Sequence, residues 1–101
     1  MKTLPVEYRS DALSNINEIL KYILEKSGDL TTAQRFINQI FDRCEKIGTA
    51  PNAGIDRNDL GKDIQLITFK KSTIILYQVK NDTIIIVNVF YGGQDYAALM
   101  R

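Results

Sequence analysis

The sequence predicts a single-domain α+β fold: an N-terminal strand, an antiparallel helical hairpin and then a three-stranded antiparallel sheet. Two segments in the first half of the chain carry apolar residues every three or four positions, the spacing of amphipathic helices. Three apolar runs in the second half are separated by short turn-forming segments, which indicates hairpins. The order β-α-α-β-β-β gives a two-layer fold, and the length of 101 residues fits one domain spanning residues 1–101.

The first strand is predicted at residues 4–8, where apolar and polar residues alternate apart from Pro5. Proline has no amide proton to donate to a neighbouring strand. We therefore expect this strand to lie at an edge of the sheet or to begin near Pro5.

The two helices are predicted from their apolar stripes and their terminal residues. The first stripe ends before Gly28, which suits the left-handed position after a helix. The second helix begins with a capping box in which Thr31 caps forward and Gln34 reaches back, and it ends at Gly48. The connection is so short that the helices should pack as an antiparallel pair. The stripes comprise Leu13, Ile16, Ile19, Leu20, Ile23 and Leu24, then Phe36, Ile37, Ile40, Phe41, Cys44 and Ile47.

The second half of the chain begins with a segment rich in turn-forming residues, 50–61, which predicts a loop. Three apolar runs follow at residues 64–69, 74–79 and 84–91. The last run is apolar at almost every position, so we expect that strand to be covered on both faces.

The composition excludes several classes of site. The chain has no histidine and one cysteine, so a Ser-His-Asp triad, an intrachain disulfide and a structural zinc site are not expected. Cys44 falls within a helical stripe and is expected to be a buried core thiol. The net charge of +1 gives no general attraction to nucleic acid or membranes. No secretory signal is visible, so we expect a cytoplasmic protein. We also expect no cofactor.

Few residues suggest catalysis. Asp56 and Asp59 form a carboxylate pair, but in a polar loop they are expected to be solvated turn residues. A ribonuclease without histidine would need several cations converging on the scissile phosphate. The candidate cations are Arg57, Lys62, Lys70, Lys71 and Arg101, although a lysine pair at a hairpin turn is also typical of ordinary solvated charges.

Seven short segments, spread over nearly the whole chain, resemble the RelE/ParE toxin superfamily in order and spacing. They are Asp11-Ala12-Leu13, Tyr22-Ile23, Ala33-Gln34-Arg35-Phe36, Pro51-Asn52-Ala53-Gly54, the strands at 74–79 and 86–91, and the ending at 94–99. The superfamily contains RelE-like toxins, which cleave mRNA on the ribosome, and ParE-like toxins, which poison DNA gyrase.

The resemblance is closer to the ParE-like branch. The helical hairpin is long, and Ile74 stands where RelE-like ribonucleases hold a strand arginine. The segment after the last strand also lacks the arginine of RelE-like proteins, and the tail lacks their matching tyrosine. The chain departs from many ParE proteins as well, because it has Tyr91 and Gln94 where they have histidine and then arginine.

The resemblance implies the toxin of a type II toxin–antitoxin module, of the kind associated with plasmid stabilisation. A ParD-like antitoxin should neutralise it, and DNA gyrase should be its target, with no sequence-specific binding of nucleic acid. From their position and expected exposure, we expect the residues that contact the target to be Lys70, Lys71, Gln94, Asp95, Tyr96 and Arg101. The antitoxin candidates are Leu13, Ile16, Leu20, Phe36 and Ile40.

Two alternatives remain at this point. A RelE-like ribosome-dependent ribonuclease would depend on Lys70, Lys71 or Arg57. A degenerate member of the superfamily would bind an antitoxin without being toxic.

Overall fold

The computed structural model describes residues 3–92 and 99. The elements are β1 (Val6–Tyr8), α1 (Ser10–Ser27), α2 (Leu30–Ile47), β2 (Ile55–Asp56), a 3-10 helix (Asn58–Leu60), β3 (Gln65–Phe69), β4 (Thr73–Lys80) and β5 (Thr83–Tyr91). This is the predicted α+β order with one additional strand. The two-residue β2 lies in the segment predicted to be a loop, and two residues are too few to produce a periodic signal.

The strands form one five-stranded sheet in the order β1-β5-β4-β3-β2. β1 runs parallel to β5, and the other pairs are antiparallel. The expected edge position of the first strand is confirmed. Pro5 lies just before β1, where its carbonyl accepts a hydrogen bond from the Ile84 amide at 2.9 Å. The missing amide proton of Pro5 is therefore not needed for strand pairing.

Gly28 ends α1 and Asp29 caps the start of α2, so these two residues form the connection between the helices. Gly28 has a φ of 66° and its amide donates to the Leu24 carbonyl at 2.8 Å, as predicted for a residue that follows a helix. The predicted cap at Thr31 is wrong. Asp29 caps α2, because its carboxylate accepts from the Thr31 amide at 3.0 Å and from the Thr32 hydroxyl at 2.6 Å. These bonds, that from Thr32 above all, lower the pKa of Asp29.

The main core lies between the helical pair and one face of the sheet. Its buried members are Ala12, Ile16, Ile19, Ile37, Ile40, Cys44, Ile47, Ile67, Ile75, Tyr77, Ile84, Ile86 and Val89. Cys44 is fully buried there, as expected, and desolvation is the main reason that its thiol pKa rises to about 12. A thiol held in its protonated form packs as a small apolar group.

A second, smaller cluster covers the opposite face of the sheet. Its buried members are Ile64, Leu66, Leu76, Val87 and Phe90, with Leu60 and Ile74 packed against them. β5 contributes to both clusters, so the expectation that it is covered on both faces is confirmed. A register shift between Leu76 and Tyr77 leaves Val87 as an extra residue of β5, since Leu76 pairs with Asn88 and Tyr77 with Ile86.

Candidate functional site

The lysine pair predicted for target contact lies in the three-residue connection between β3 and β4. Lys70 and Lys71 both have positive φ angles, 50° and 62°. The Lys70 ammonium donates to Gln39 Oε1 on α2 at 2.7 Å and lies 5.6 Å from the centre of the Phe69 ring. The turn is thereby held against the side of α2, while Lys71 remains exposed.

Lys70 forms one wall of a cleft of about 190 Å³ between α2 and the end of β3. We call it the basic cleft, and its lining residues are Gln39, Asp42, Arg43, Lys46, Phe69 and Lys70. The four helical residues lie at intervals of three and four, so they share one face of α2. The lining therefore combines three cations, one carboxylate and an aromatic ring, which suits a ligand that is both anionic and partly apolar.

A second cleft, of about 310 Å³, lies between α1 and the C-terminal half of β5. Its lining residues are Asn15, Glu18, Ile19, Tyr22, Val89, Tyr91 and Gly92. Within the described chain β1 pairs with β5 only as far as Ile86. Beyond that point the Val89 amide donates to Asn15 Oδ1 at 3.1 Å, so α1 supplies a hydrogen bond at a strand edge that β1 does not cover.

A row of aromatic side chains connects the two clefts. Tyr22 contacts Tyr91 with ring centres 5.7 Å apart, Tyr91 contacts Phe36 at 5.3 Å, and Phe36 contacts Phe69 at 6.1 Å. Tyr22 is the most exposed of these, at 46%. These aromatic contacts pack both helices against the same end of the sheet, because the rings come from α1, β5, α2 and β3.

The residues predicted to contact an antitoxin divide into two groups. Ile16 and Ile40 lie in the main core and are 4% and 0% exposed. Leu13 is 47% exposed, and Leu20 and Phe36 are half-buried. Sequence periodicity places all five on apolar stripes but does not distinguish the side that faces the sheet from its border.

A groove of about 340 Å³ lies between the two helices, beside Leu20. Its lining residues are Leu20, Gln34, Ile37 and Asn38, and we call it the hairpin groove. Leu24 and Leu30 are exposed near the connection between the helices, at 37% and 52%. Sequence reasoning did not select these two leucines as contact residues, although Leu24 belongs to the predicted stripe.

Arg57 and Lys70, two of the basic residues considered for RNA cleavage, lie apart in the described chain. The Arg57 guanidinium forms two bonds of 2.9 Å with the Asp59 carboxylate, which lower the pKa of Asp59. The Arg57 amide is bonded to the Ile64 carbonyl, just before β3, whereas Lys70 follows the last residue of that strand. Five extended residues span roughly 17 Å, so Arg57 and Lys70 lie at opposite ends of β3.

The remaining target-contact candidates, Gln94, Asp95, Tyr96 and Arg101, lie outside the described residues. Among residues 3–92 and 99, no group of three or more acidic, cysteine or histidine side chains could hold a metal ion. Neither described helix is both long enough and apolar enough to cross a bilayer.

Comparison with known proteins identifies the family. A family model described as "ParE toxin of type II toxin-antitoxin system, parDE" matches residues 6–96. No curated protein matches the sequence. The chain nevertheless belongs to the ParE toxin family, because the matched segment includes nearly all of it.

Solved structures agree in fold. The chromosomal ParDE toxin–antitoxin system from P. aeruginosa contains a chain with a TM-score of 0.76 and 14% identity, with 88% of this chain and 96% of that chain covered. The RelBE2 complex of Mycobacterium tuberculosis gives a TM-score of 0.65, 10% identity and coverage of 89% and 99%. The E. coli RelBE complex gives a TM-score of 0.55 and 12% identity, with 90% of this chain and 99% of that chain covered. The predicted resemblance is thus confirmed, and this protein is a member of the ParE family of type II toxins.

Proposed function

We propose that this ParE-family toxin inhibits DNA gyrase by a protein–protein contact and is neutralised by a ParD-like antitoxin. The observation that carries the proposal is the separation of Arg57 from Lys70, two of the residues on which the ribonuclease alternative depends. A ribonuclease without histidine needs cations that converge on one phosphate, and Arg57 and Lys70 lie at opposite ends of β3. The cations that do lie near Lys70, namely Arg43 and Lys46, share their cleft with the Asp42 carboxylate, which repels a phosphate. A protein contact has no such requirement, because its charged groups can be spread over a wide surface.

The environment of Ile74 also supports a protein contact over ribonuclease activity. In RelE-like ribonucleases the matching strand position holds an arginine. Here the Ile74 side chain packs against the apolar cluster on the second face of the sheet, beside buried residues such as Leu66 and Leu76. An apolar contact at this position stabilises the sheet and supplies no charge to a phosphate.

The proposed gyrase-contacting surface comprises Lys70 and Lys71. We add the tail residues Gln94, Asp95, Tyr96 and Arg101, which are assigned from their position in the sequence alone. Lys70 is held on α2 by Gln39. A cation that is already positioned loses less conformational freedom when a partner binds, which favours its use in recognition.

The proposed antitoxin site is the hairpin groove and its border. Leu13, Leu20 and Leu24 follow one another along α1 at intervals of seven and four residues, and Leu13 and Leu24 are among the large apolar side chains most exposed in the described chain. Such a stripe beside a groove suits an amphipathic helical segment of a partner. Ile16 and Ile40 would support the helices from beneath without touching the antitoxin.

The decisive experiment measures gyrase supercoiling and DNA cleavage with the purified chain, beside a translation reaction on the same sample. We expect gyrase to be inhibited and translation to be unaffected. Loss of translation with mRNA cleavage would replace this proposal with the ribonuclease function. If neither reaction responds, the proposal is also wrong, and antitoxin binding without toxicity becomes the function to test. Gyrase acts on chromosomal DNA, so the proposal places the toxin in the cytoplasm.

A further inference from the structure

We infer that the basic cleft is a docking site for an acidic, partly apolar peptide segment of a protein partner. Because Lys70 and Lys71 belong to the proposed gyrase-contacting surface, the biological meaning of this inference rests on the proposed function. The binding itself is a property of the cleft, and a peptide can test it without gyrase.

The first observation is the unusual backbone of the lysine turn. Within the described residues, the non-glycine positions with positive φ are Asp63, Lys70, Lys71, Asn81 and Asp82. Aspartate and asparagine tolerate this conformation because their short side chains bond to the local backbone, whereas lysine has no such compensation. The β4–β5 turn uses Asn81 and Asp82 at φ angles of 51° and 57°, but the β3–β4 turn places two lysines at 50° and 62°.

The comparison between the two turns indicates why lysine is present. A residue kept in a strained conformation, where better suited residue types exist, points to a role for its side chain. Lys70 uses its position to reach α2, where its ammonium is bonded to Gln39 at 2.7 Å. The turn thus has a less favourable backbone conformation than asparagine or aspartate would give it, but it places a cation in the wall of the basic cleft.

The second observation is the composition of the cleft. Arg43, Lys46 and Lys70 give three positive charges, against one negative charge from Asp42, in a chain whose net charge is only +1. Phe69 adds an apolar surface between them. Glutamate or aspartate side chains would pair with the cations, and a leucine-sized side chain between them would contact the Phe69 ring.

The same composition favours a peptide over a nucleic acid. Binding a phosphate backbone depends on a continuous positive track, because each neutralised phosphate releases counterions. The basic cleft is instead about 190 Å³ in volume and includes the Asp42 carboxylate. A short acidic segment with an apolar side chain matches this pattern of charge and surface.

The probe is a fluorescein-labelled peptide of four Glu-Glu-Leu repeats, with a Gln-Gln-Leu peptide and an oligothymidylate of eight phosphates as comparisons. Fluorescence anisotropy at low salt should show binding of the Glu-Glu-Leu peptide, with weaker binding of both comparisons. The double variant Lys70→Asn with Lys71→Asn should weaken peptide binding about fivefold, because it removes Lys70 from the wall of the cleft and the exposed charge of Lys71 next to it. The same variant should melt at no lower a temperature than the original chain, because asparagine tolerates the turn and this offsets the loss of the exposed Lys70–Gln39 bond.

Two further variants separate the cleft from general charge. Arg43→Gln changes the opposite wall and should also weaken binding, with the turn left intact. Lys80→Gln removes one charge from the far end of β4 and should leave peptide binding unchanged. Circular dichroism of each variant confirms that it is folded.

The inference is overturned if the folded double variant binds the peptide as tightly as the original chain, or if Lys80→Gln weakens binding equally. Oligothymidylate binding that equals or exceeds peptide binding would also overturn it. If the chain inhibits gyrase and the peptide does not bind, the cleft inference alone is wrong. If the peptide binds through the lysines and gyrase is unaffected, the proposed target is wrong and the cleft remains.

Discussion

The Tyr77 hydroxyl accepts a hydrogen bond from the Gly54 amide at 3.0 Å and donates to the Pro51 carbonyl, 2.9 Å away. Gln65 Oε1 lies 3.1 Å from the same hydroxyl. A single fully buried side chain on β4 therefore fastens the segment that leads from α2 into β2. This bonding gives a physical reason for the Pro51–Gly54 motif: a side chain at Gly54 would place its Cβ 2.7 Å from the Tyr77 oxygen.

We expect Tyr77→Phe to destabilise the protein by about 1–2 kcal/mol, because the ring is retained while the Gly54 amide and the Pro51 carbonyl lose their partner. Gly54→Ala should also destabilise it through the close contact with the hydroxyl. Chemical denaturation measures both changes. Tyr22→Phe is the matched control, since Tyr22 is 46% exposed and a surface change of this kind costs less than about 0.5 kcal/mol. Equal stability of Tyr77→Phe and the original chain would contradict the assigned role.

A second prediction concerns Asn15, whose Oδ1 accepts from the Asn88 side-chain amide at 2.9 Å and from the Val89 amide at 3.1 Å. Asn15→Ala leaves both donors without this acceptor and should cost about 1–2 kcal/mol in unfolding free energy, despite the better helix propensity of alanine. Amide hydrogen exchange at Val89 should accelerate in this variant.

Asn17→Ala is the control for Asn15→Ala, because Asn17 is exposed on the same helix. It should be neutral or slightly stabilising. If the two alanine variants are equally stable and exchange at Val89 is unchanged, Asn15 does not secure this end of β5.

A third prediction tests the proposed antitoxin surface. The double variant Leu13→Gln with Leu24→Gln removes exposed apolar contact area and should weaken antitoxin binding by about tenfold, while melting is nearly unchanged. Calorimetric titration with the purified cognate antitoxin measures the affinity. Ile55→Gln is the matched control, since Ile55 is an apolar residue 68% exposed on β2, at the edge of the sheet opposite β1. Equal weakening by the control would show that the helical surface is not specific.

A fourth prediction addresses the gyrase contact. Lys70→Gln with Lys71→Gln should raise the concentration needed for half-inhibition of supercoiling by about tenfold, because two cations are lost from the contact. Arg57→Gln should have little effect, since that guanidinium lies at the other end of β3 and is bonded to Asp59. The opposite ranking, or mRNA cleavage that depends on Arg57, would favour the ribonuclease function.

The sequence was most informative where a local rule suffices. Apolar spacing located both helices, and Gly28 marked the end of the first of them because a left-handed residue needs glycine's freedom. The cap of α2 was misplaced because Asp29, Thr31 and Thr32 are all acceptable capping residues. The difference depends on which side-chain oxygen reaches the free amides, and that is a matter of geometry.

The residues that come together in the candidate site were harder to predict from the sequence. Lys70 was selected from its position at a turn, but its neighbours Arg43 and Lys46 come from a helix more than twenty residues earlier in the chain. Sequence periodicity likewise placed Leu13 and Ile16 on one stripe, although packing against the sheet buries only Ile16. Contacts between distant segments follow from how the layers pack, and no local pattern encodes them.

The sequence by itself therefore determined the α+β class, the order of the main elements and the resemblance to ParE toxins, because these depend on hydrophobic period, turn residues and the spacing of short motifs. Only the tertiary structure decided that β1 pairs in parallel with β5, that Tyr77 fastens the loop before β2, and that the lysine turn meets α2 to form the basic cleft. Each of these features joins residues far apart in the chain, and they become neighbours only when the helices bury their apolar faces against the sheet.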